Sequence, residues 1–391
     1  MKAIINAKLI MEDGIIFDGA LTYEDDKIVE VGRAKDVKIP ADAQILDAQG
    51  QYVAPGLIDI HNHGSEDDLF VDEPMKCCEH FLRHGETTVL PAFYCNLTLE
   101  QLLEGARKVK AASKTGAGCI MDGIYMEGPY MNGVGSNQKY IKWNGEIDPK
   151  EYVPLVAGLG DMTRIWAIDP GRSGIADFMG YVKSQYPNAI FALGHSQANA
   201  EDCRKIAHLG VKVQTHIGDS GQARGRAQGT PGAGCDQYTL YNPDMYAELI
   251  CDECGVHVVP DLIKMIVRTK GVEKICLITD SMASKDKFLN NEAEGICYGS
   301  DLNYDYRGYL AGSRMTLENA CRNMMTHTGY GLCHAIRMAT LNPAKLLGID
   351  HRVGSLAAGK TANIILIDDM VQIKKVILEG RLAVEDGQLL L

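Results

Sequence analysis

Two imidazoles stand at i and i+2 in His61-Asn62-His63. On an extended strand that spacing puts both on one face, where together they can hold one metal ion. A bare His-x-His reads more readily as two polar residues leaving a strand. The preceding Ala54-Pro55-Gly56-Leu57-Ile58-Asp59-Ile60 and the return of ligand-type residues further along favour ligation. Glu127 ends the run Ile124-Tyr125-Met126 and precedes Gly128-Pro129, an abrupt turn that would hold its carboxylate at a strand end as a bridging ligand. His195 and His216 each close an apolar, β-like run and are followed by Ser196-Gln197 and Ile217-Gly218. Neutral imidazoles with a carboxylate suit zinc or ferrous iron, and three protein ligands leave a position open for water. The expected cofactor is therefore a divalent cation, Zn2+ or Fe2+, with one or two ions per subunit depending on whether His61 and His63 take part.

Asp280 closes Leu277-Ile278-Thr279. A carboxylate facing a polarised water can accept its proton during attack and deliver it to a departing amine. A cation lowers the pKa of a bound water from about 15.7 toward about 7 and polarises a carbonyl, so neutral pH supplies the nucleophile. The bland alternative is an Asp capping the next helix. His257, in Gly255-Val256-His257-Val258-Val259, could donate to a substrate carbonyl or hydroxyl, or be a buried histidine satisfied by backbone.

The elements that must position these groups follow from the pattern around them. From residue 53 to 347 short apolar runs alternate with helical stretches, as repeated βα units do. Candidate strands are 57–61, 87–91, 120–127, 164–168, 190–195, 211–216, 256–259 and 275–280. Several end on His, Glu or Asp, and a (β/α)8 TIM barrel places its chemistry at the C-terminal ends of its strands. Steps of 64, 68, 21 and 64 residues separate His63, Glu127, His195, His216 and Asp280. At roughly 31 residues per βα unit these steps place the five at the ends of strands 1, 3, 5, 6 and 8. Residues 1–52 and 348–391 instead show short strands broken by turn residues, which predicts one small β-sandwich domain assembled from both ends of the chain.

Composition narrows the partners. With 46% apolar and 23% charged residues the chain is an ordinary globular protein. A net charge of −12 argues against nucleic acid and against an anionic membrane surface, both of which reward clustered Lys and Arg. No apolar run approaches the ~18 residues of a membrane span, and no secretory h-region is seen, so the expected compartment is the cytoplasm. The 12 Cys follow no repeating frame, which points to reduced thiols. Cys251 and Cys254 form a single Cys-x-x-Cys, short of the two pairs a closed zinc site normally uses.

The motifs taken together resemble the amidohydrolase superfamily and, within it, the N-acetylglucosamine-6-phosphate deacetylases. The matching stretches are Pro55-Gly56-Leu57-Ile58-Asp59-Ile60-His61-Asn62-His63-Gly64, Met126-Glu127-Gly128-Pro129, Gly194-His195-Ser196, Thr215-His216, Gly255-Val256-His257, Leu277-Ile278-Thr279-Asp280, Leu310-Ala311-Gly312-Ser313 and Asn342-Pro343-Ala344. The resemblance implies that Glu127, His195 and His216 bind the principal metal, that His61 and His63 bind a second ion bridged by Glu127, and that Asp280 is the acid/base. It further implies His257 and Ser313 at the substrate, an N-acetyl amino sugar or its 6-phosphate as that substrate, and a homodimer.

Two departures bear on the substrate. Where the family usually continues its strand-6 His with Asn-Ala-Met beside the sugar phosphate, this chain has His216-Ile217-Gly218-Asp219-Ser220-Gly221. Asp219 and Ser220 become the candidate contacts there, and a carboxylate would repel a phosphate. After Glu-Gly-Pro the family often has Gly-Ala-His, and Gly135-Ser136-Asn137 is the nearest match, making Asn137 a contact. Arg224 and Arg226 could supply cationic contacts. Two alternatives stay open: an amidohydrolase acting on an N-acyl amino acid or other amide, and an inactive scaffold or binding protein. The first draws on Cys95, just after strand 2, which resembles the thiolate ligand of some D-aminoacylases.

Overall fold

The computed structural model describes residues 1–65, 67–133, 141–221, 225, 229–283, 301–304 and 308–391. Eight parallel strands form its centre: Leu57–Asn62, Glu86–Tyr94, Ile124–Glu127, Thr163–Ile168, Ile190–Leu193, Val211–Gln214, Tyr246–Ile250 and Ile275–Ile278, hydrogen-bonded in that order. The ring closes just past the last strand, where Asp280 N–H donates to His61 O at 2.9 Å and His63 N–H to Ser281 O at 2.8 Å. This is the expected TIM barrel.

Parallel strands covered on both faces read as near-continuous apolar runs. Ile124–Glu127 and Ile275–Ile278 are buried at every position. Alternate residues serve two cores: Ile165 and Ala167 join one cluster with Ile58, Tyr125 and Val213, while Trp166 and Ile168 join another with Phe178 and Phe191. Helices start where the sequence signals them. Thr98 and Asn199 make capping boxes for Leu99–Ala112 and Ala200–Ile206, and Pro149 and Pro260 open Pro149–Leu159 and Pro260–Lys270.

The chain ends build a second unit, a nine-stranded sheet. Tyr52–Pro55 pairs antiparallel with Ile364–Ile367, which joins the two termini. Lys2–Ile10 forks the sheet, pairing along one edge first with Gln44–Asp47 and then with Tyr52 and Val53. One face of the sheet, with Ile4, Leu21, Val53, Ile364 and Ile377, closes on its own core, while Ile365, Val376 and Val384 join the cluster that packs against the barrel. No helix among the described residues is long and apolar enough to cross a membrane.

Two strand assignments need correction. The seventh strand is Tyr246–Ile250, not 256–259. The Val256-His257-Val258-Val259 run lies in the loop that follows, and Val259 is the N-cap of Pro260–Lys270. The true strand carries a charged residue, Glu248, at its centre, and this broke the apolar run that would have marked it. The third strand begins at Ile124; residues 116–120 form a 3-10 turn instead.

Candidate metal centre

Glu127 is the hub of the site. Its Oε1 lies 2.8 Å from His195 Nε2 and 3.2 Å from His216 Nε2. Its Oε2 lies 3.1 Å from His63 Nε2 and 3.7 Å from His61 Nε2. The five candidates thus form two metal-competent groups that share this carboxylate, Glu127-His195-His216 and His61-His63-Glu127, both fully buried. Asp280 Oδ1 stands beside the second group, 3.2 Å from His63 Nε2 and 3.7 Å from His61 Nε2. Exposure rises from 0% at His61 and 1% at Glu127 to 8% at His195 and 9% at Asp280, so the centre is least covered on the His195 and Asp280 side.

Backbone geometry aims these groups. His195, His216 and Asp280 have φ of +42°, +26° and +48°, a left-handed conformation that costs a non-glycine residue about 1–3 kcal/mol and persists only where the surroundings impose it. Asp280 is clamped on both sides, its N–H on His61 O and its carbonyl accepting from Ser313 N–H at 2.7 Å. Beneath it, Asp59 accepts from Thr279 Oγ1 at 2.6 Å and Asn62 Nδ2 at 2.8 Å, tying strand one to strand eight. Burial pushes Asp59 up to about 6 against those hydrogen bonds. Gly312 must lack a side chain, since a Cβ there would meet Asp280 O at 2.5 Å.

Three of the four rings are held by their other nitrogen. His63 Nδ1 is 3.1 Å from Ala92 O, His61 Nδ1 3.0 Å from Glu248 Oε2, and His216 Nδ1 3.1 Å from Ser220 Oγ. Partners of this kind fix a ligand's orientation and leave Nε2 free to ligate. His195 Nδ1 has no hydrogen-bond partner among the described residues.

These residues fit a divalent cation. His195 Nε2 and His216 Nε2 face each other at 3.1 Å and both face Glu127 Oε1, so three donor atoms of the kind zinc takes converge on one point. His61 Nε2 and Glu127 Oε2 are buried without a hydrogen-bond partner. Burial disfavours charge on His63 and His216, yet Asp280 and Glu127 at the first ring and chiefly Glu127 at the second raise both to about 9. Burial likewise opposes ionisation of Glu127 and Asp280, but the surrounding imidazoles hold both below the usual carboxylate range.

The remaining candidates fall around this core in different roles. Ser220 faces His216, and Asp219 Oδ2 lies 3.5 Å from the same Nδ1, so both address the ligand ring. Ser313 is buried and donates to Thr279 O at 2.6 Å, below Asp280. His257 sits in the loop after the seventh strand with Nδ1 3.1 Å from Asp252 Oδ2 and Nε2 3.1 Å from Gly312 O. Burial opposes its charge, but the Asp252 hydrogen bond and the carboxylates of Asp219 and Asp280 raise its pKa. Asn137, Arg224 and Arg226 lie outside the described residues. Cys95 is buried, its thiol pushed up by burial and by Glu127, and it belongs to neither metal-competent group. Cys251 is buried and Cys254 half-buried, and both lie outside both groups.

Sequence reasoning missed Glu248 and Asp252, which orient His61 and His257. The available signal was a lone acid inside an apolar run, Tyr246-Ala247-Glu248-Leu249-Ile250.

The amidohydrolase family model matches residues 52–383. An N-acetylgalactosamine-6-phosphate deacetylase from Escherichia coli O157:H7 is 28% identical over 394 residues, covering 98% of this chain and 100% of the relative. An N-acetylglucosamine-6-phosphate deacetylase from Haemophilus influenzae is 26% identical over 401 residues, covering 97% of this chain and 98% of the relative. Among solved structures, the N-acetylglucosamine-6-phosphate deacetylase from Pasteurella multocida superposes with a TM-score of 0.84 at 23% identity, covering 97% of this chain and 99% of the other, a likeness of fold.

Proposed function

Because the chain belongs to the amidohydrolase family, we propose that it is a metal-dependent deacetylase that hydrolyses the acetamide of an N-acetyl hexosamine 6-phosphate. The observation that carries this reading is the Glu127 carboxylate set between two histidine pairs, with Asp280 within 3.2 Å of one of them. The relatives' activities supply the substrate class, glucosamine or galactosamine type.

Glu127, His195 and His216 would hold the principal ion, and His61 and His63 with Glu127 would hold a second. Zinc suits these imidazole and carboxylate donors, with ferrous iron the other candidate. A divalent cation supplies Lewis acidity here, polarising the acyl carbonyl and providing a nucleophile at neutral pH.

The chain's own residues do the proton work. Asp280, kept ionised by His63 and His61, accepts the proton released as the oxygen of water bonds to the acyl carbon. It returns that proton to the nitrogen as the carbon–nitrogen bond breaks, leaving acetate and a free amine. His257, anchored through Asp252 and the Gly312 carbonyl beside Asp280, is the candidate contact to the substrate. Asp219 engages His216, which gives its carboxylate a task other than meeting the substrate's phosphate. Binding of the phosphate falls to the segment that carries Arg224 and Arg226.

Acetate release from N-acetylglucosamine, N-acetylgalactosamine and their 6-phosphates by the zinc-loaded protein tests the reading. Turnover of at least one 6-phosphate, above that of its parent sugar, is the expected result, and silence across the panel discards it.

A further inference from the structure

We propose that Glu248 is the positioning residue that makes the His61–His63 side of the centre a competent cation site, by locking the His61 ring with Nε2 toward Glu127. The inference rests on the metal-centre reading above and extends it to a residue outside the ligand set.

Glu248 lies on the seventh strand with its side chain wholly buried, and its Oε2 sits 3.0 Å from His61 Nδ1. An ionised carboxylate only accepts hydrogen bonds. The proton of a neutral His61 must therefore sit on Nδ1, which leaves the Nε2 lone pair aimed at the space beside Glu127 Oε2. Tyr125 stacks on the same ring at 4.1 Å with 20° between planes, so the ring can neither flip nor tilt freely. The Tyr125 hydroxyl meets Thr215 Oγ1 at 2.8 Å and Glu248 Oε2 at 3.4 Å. Thr215 directly precedes His216, so the same buried network reaches toward the other histidine pair.

A plain buried ion pair between Glu248 and a protonated His61 would also bring these atoms together. It would leave His61 Nε2–H buried without a hydrogen-bond acceptor, and that nitrogen has no hydrogen-bond partner among the described residues. A cation at Nε2 removes that cost. The nearest partners of the other held rings are neutral, the Ala92 carbonyl at His63 and the Ser220 hydroxyl at His216, with the Asp219 carboxylate farther off at 3.5 Å from His216 Nδ1. Of the three, only His61 has a carboxylate as its closest partner, and a partner of that kind raises a ligand's basicity. That support falls on the ring that stands farthest from Glu127, at 3.7 Å.

The test is a titration of metal-free protein with Zn2+ against a chromophoric chelator, resolving the number of ions and each affinity. Wild type should take two. In Glu248→Gln and in the shorter Glu248→Asp, the weaker site should lose about 10–100-fold in affinity while the tighter one stays within about threefold. Both sites unchanged, both weakened in step, or a wild type holding one ion would each overturn the proposal. A wild type that takes up no zinc would instead remove the metal-centre reading on which this one stands. Should the variants not fold, nitrogen-15 NMR of the zinc-loaded wild type decides. A His61 protonated at Nδ1 and metal-bound at Nε2 is expected, and the reverse tautomer would overturn the assignment.

Discussion

On the Oε1 side of Glu127, His195 and His216 come from neighbouring strands and stand 2.8 and 3.2 Å from the shared carboxylate. On the Oε2 side, His61 and His63 come from one strand and stand at 3.7 and 3.1 Å. The first pair is brought together by the register of two strands, Leu193 opposite Gln214, and by two left-handed residues that turn the rings inward. The second is set by the pleat of a single strand and is shared with Asp280. The difference separates two jobs. On the proposed reading, one side anchors the cation and the other lies beside the group that moves the proton.

The strongest perturbation removes what the two sides share. Glu127→Ala should lose both ions and bring acetate release to background, as metal analysis and assay together would record. Next, Asp280→Asn should lower kcat by about 10²–10⁴-fold while metal analysis still finds the ion of the Oε1 side; loss of that ion would show that Asp280 anchors rather than transfers. His195→Asn against His61→Asn measures the asymmetry directly. The first should be at least about tenfold the less active, and equal losses would erase the distinction. Smallest is Ser220→Ala, which removes the hydroxyl at His216 Nδ1 and should weaken zinc on the Oε1 side by about tenfold, read in the same chelator competition.

The sequence exposed the Oε2 side more directly than the Oε1 side. His-x-His is a local pattern, because alternation along one strand alone puts both rings on a face. His195 and His216 gained meaning only through barrel spacing, since nothing within either segment says that the other is near. The seventh strand was misplaced for a related reason. A buried acid inside Tyr246–Ile250 reads as a break, while β-branched residues at 256–259 read as a strand, although Pro260 marks a helix start there. That one error concealed Glu248, the charged partner of His61, whose burial depends on a strand 187 residues away. The roles of Ser220 and Ser313 were equally hidden. Ser220 is a small polar residue in a loop and Ser313 ends the short strand Leu310–Ser313, and only the folded chain turns one toward His216 and the other toward Thr279 O.

The account stands on Glu127 as the common anchor of a metal centre at the mouth of the barrel. Anomalous diffraction at the zinc edge from crystals of the zinc-loaded protein tests this directly. It should place a peak against Glu127, His195 and His216 and a second against Glu127, His61 and His63. Density at Cys251 and Cys254 instead, with none at Glu127, would contradict it.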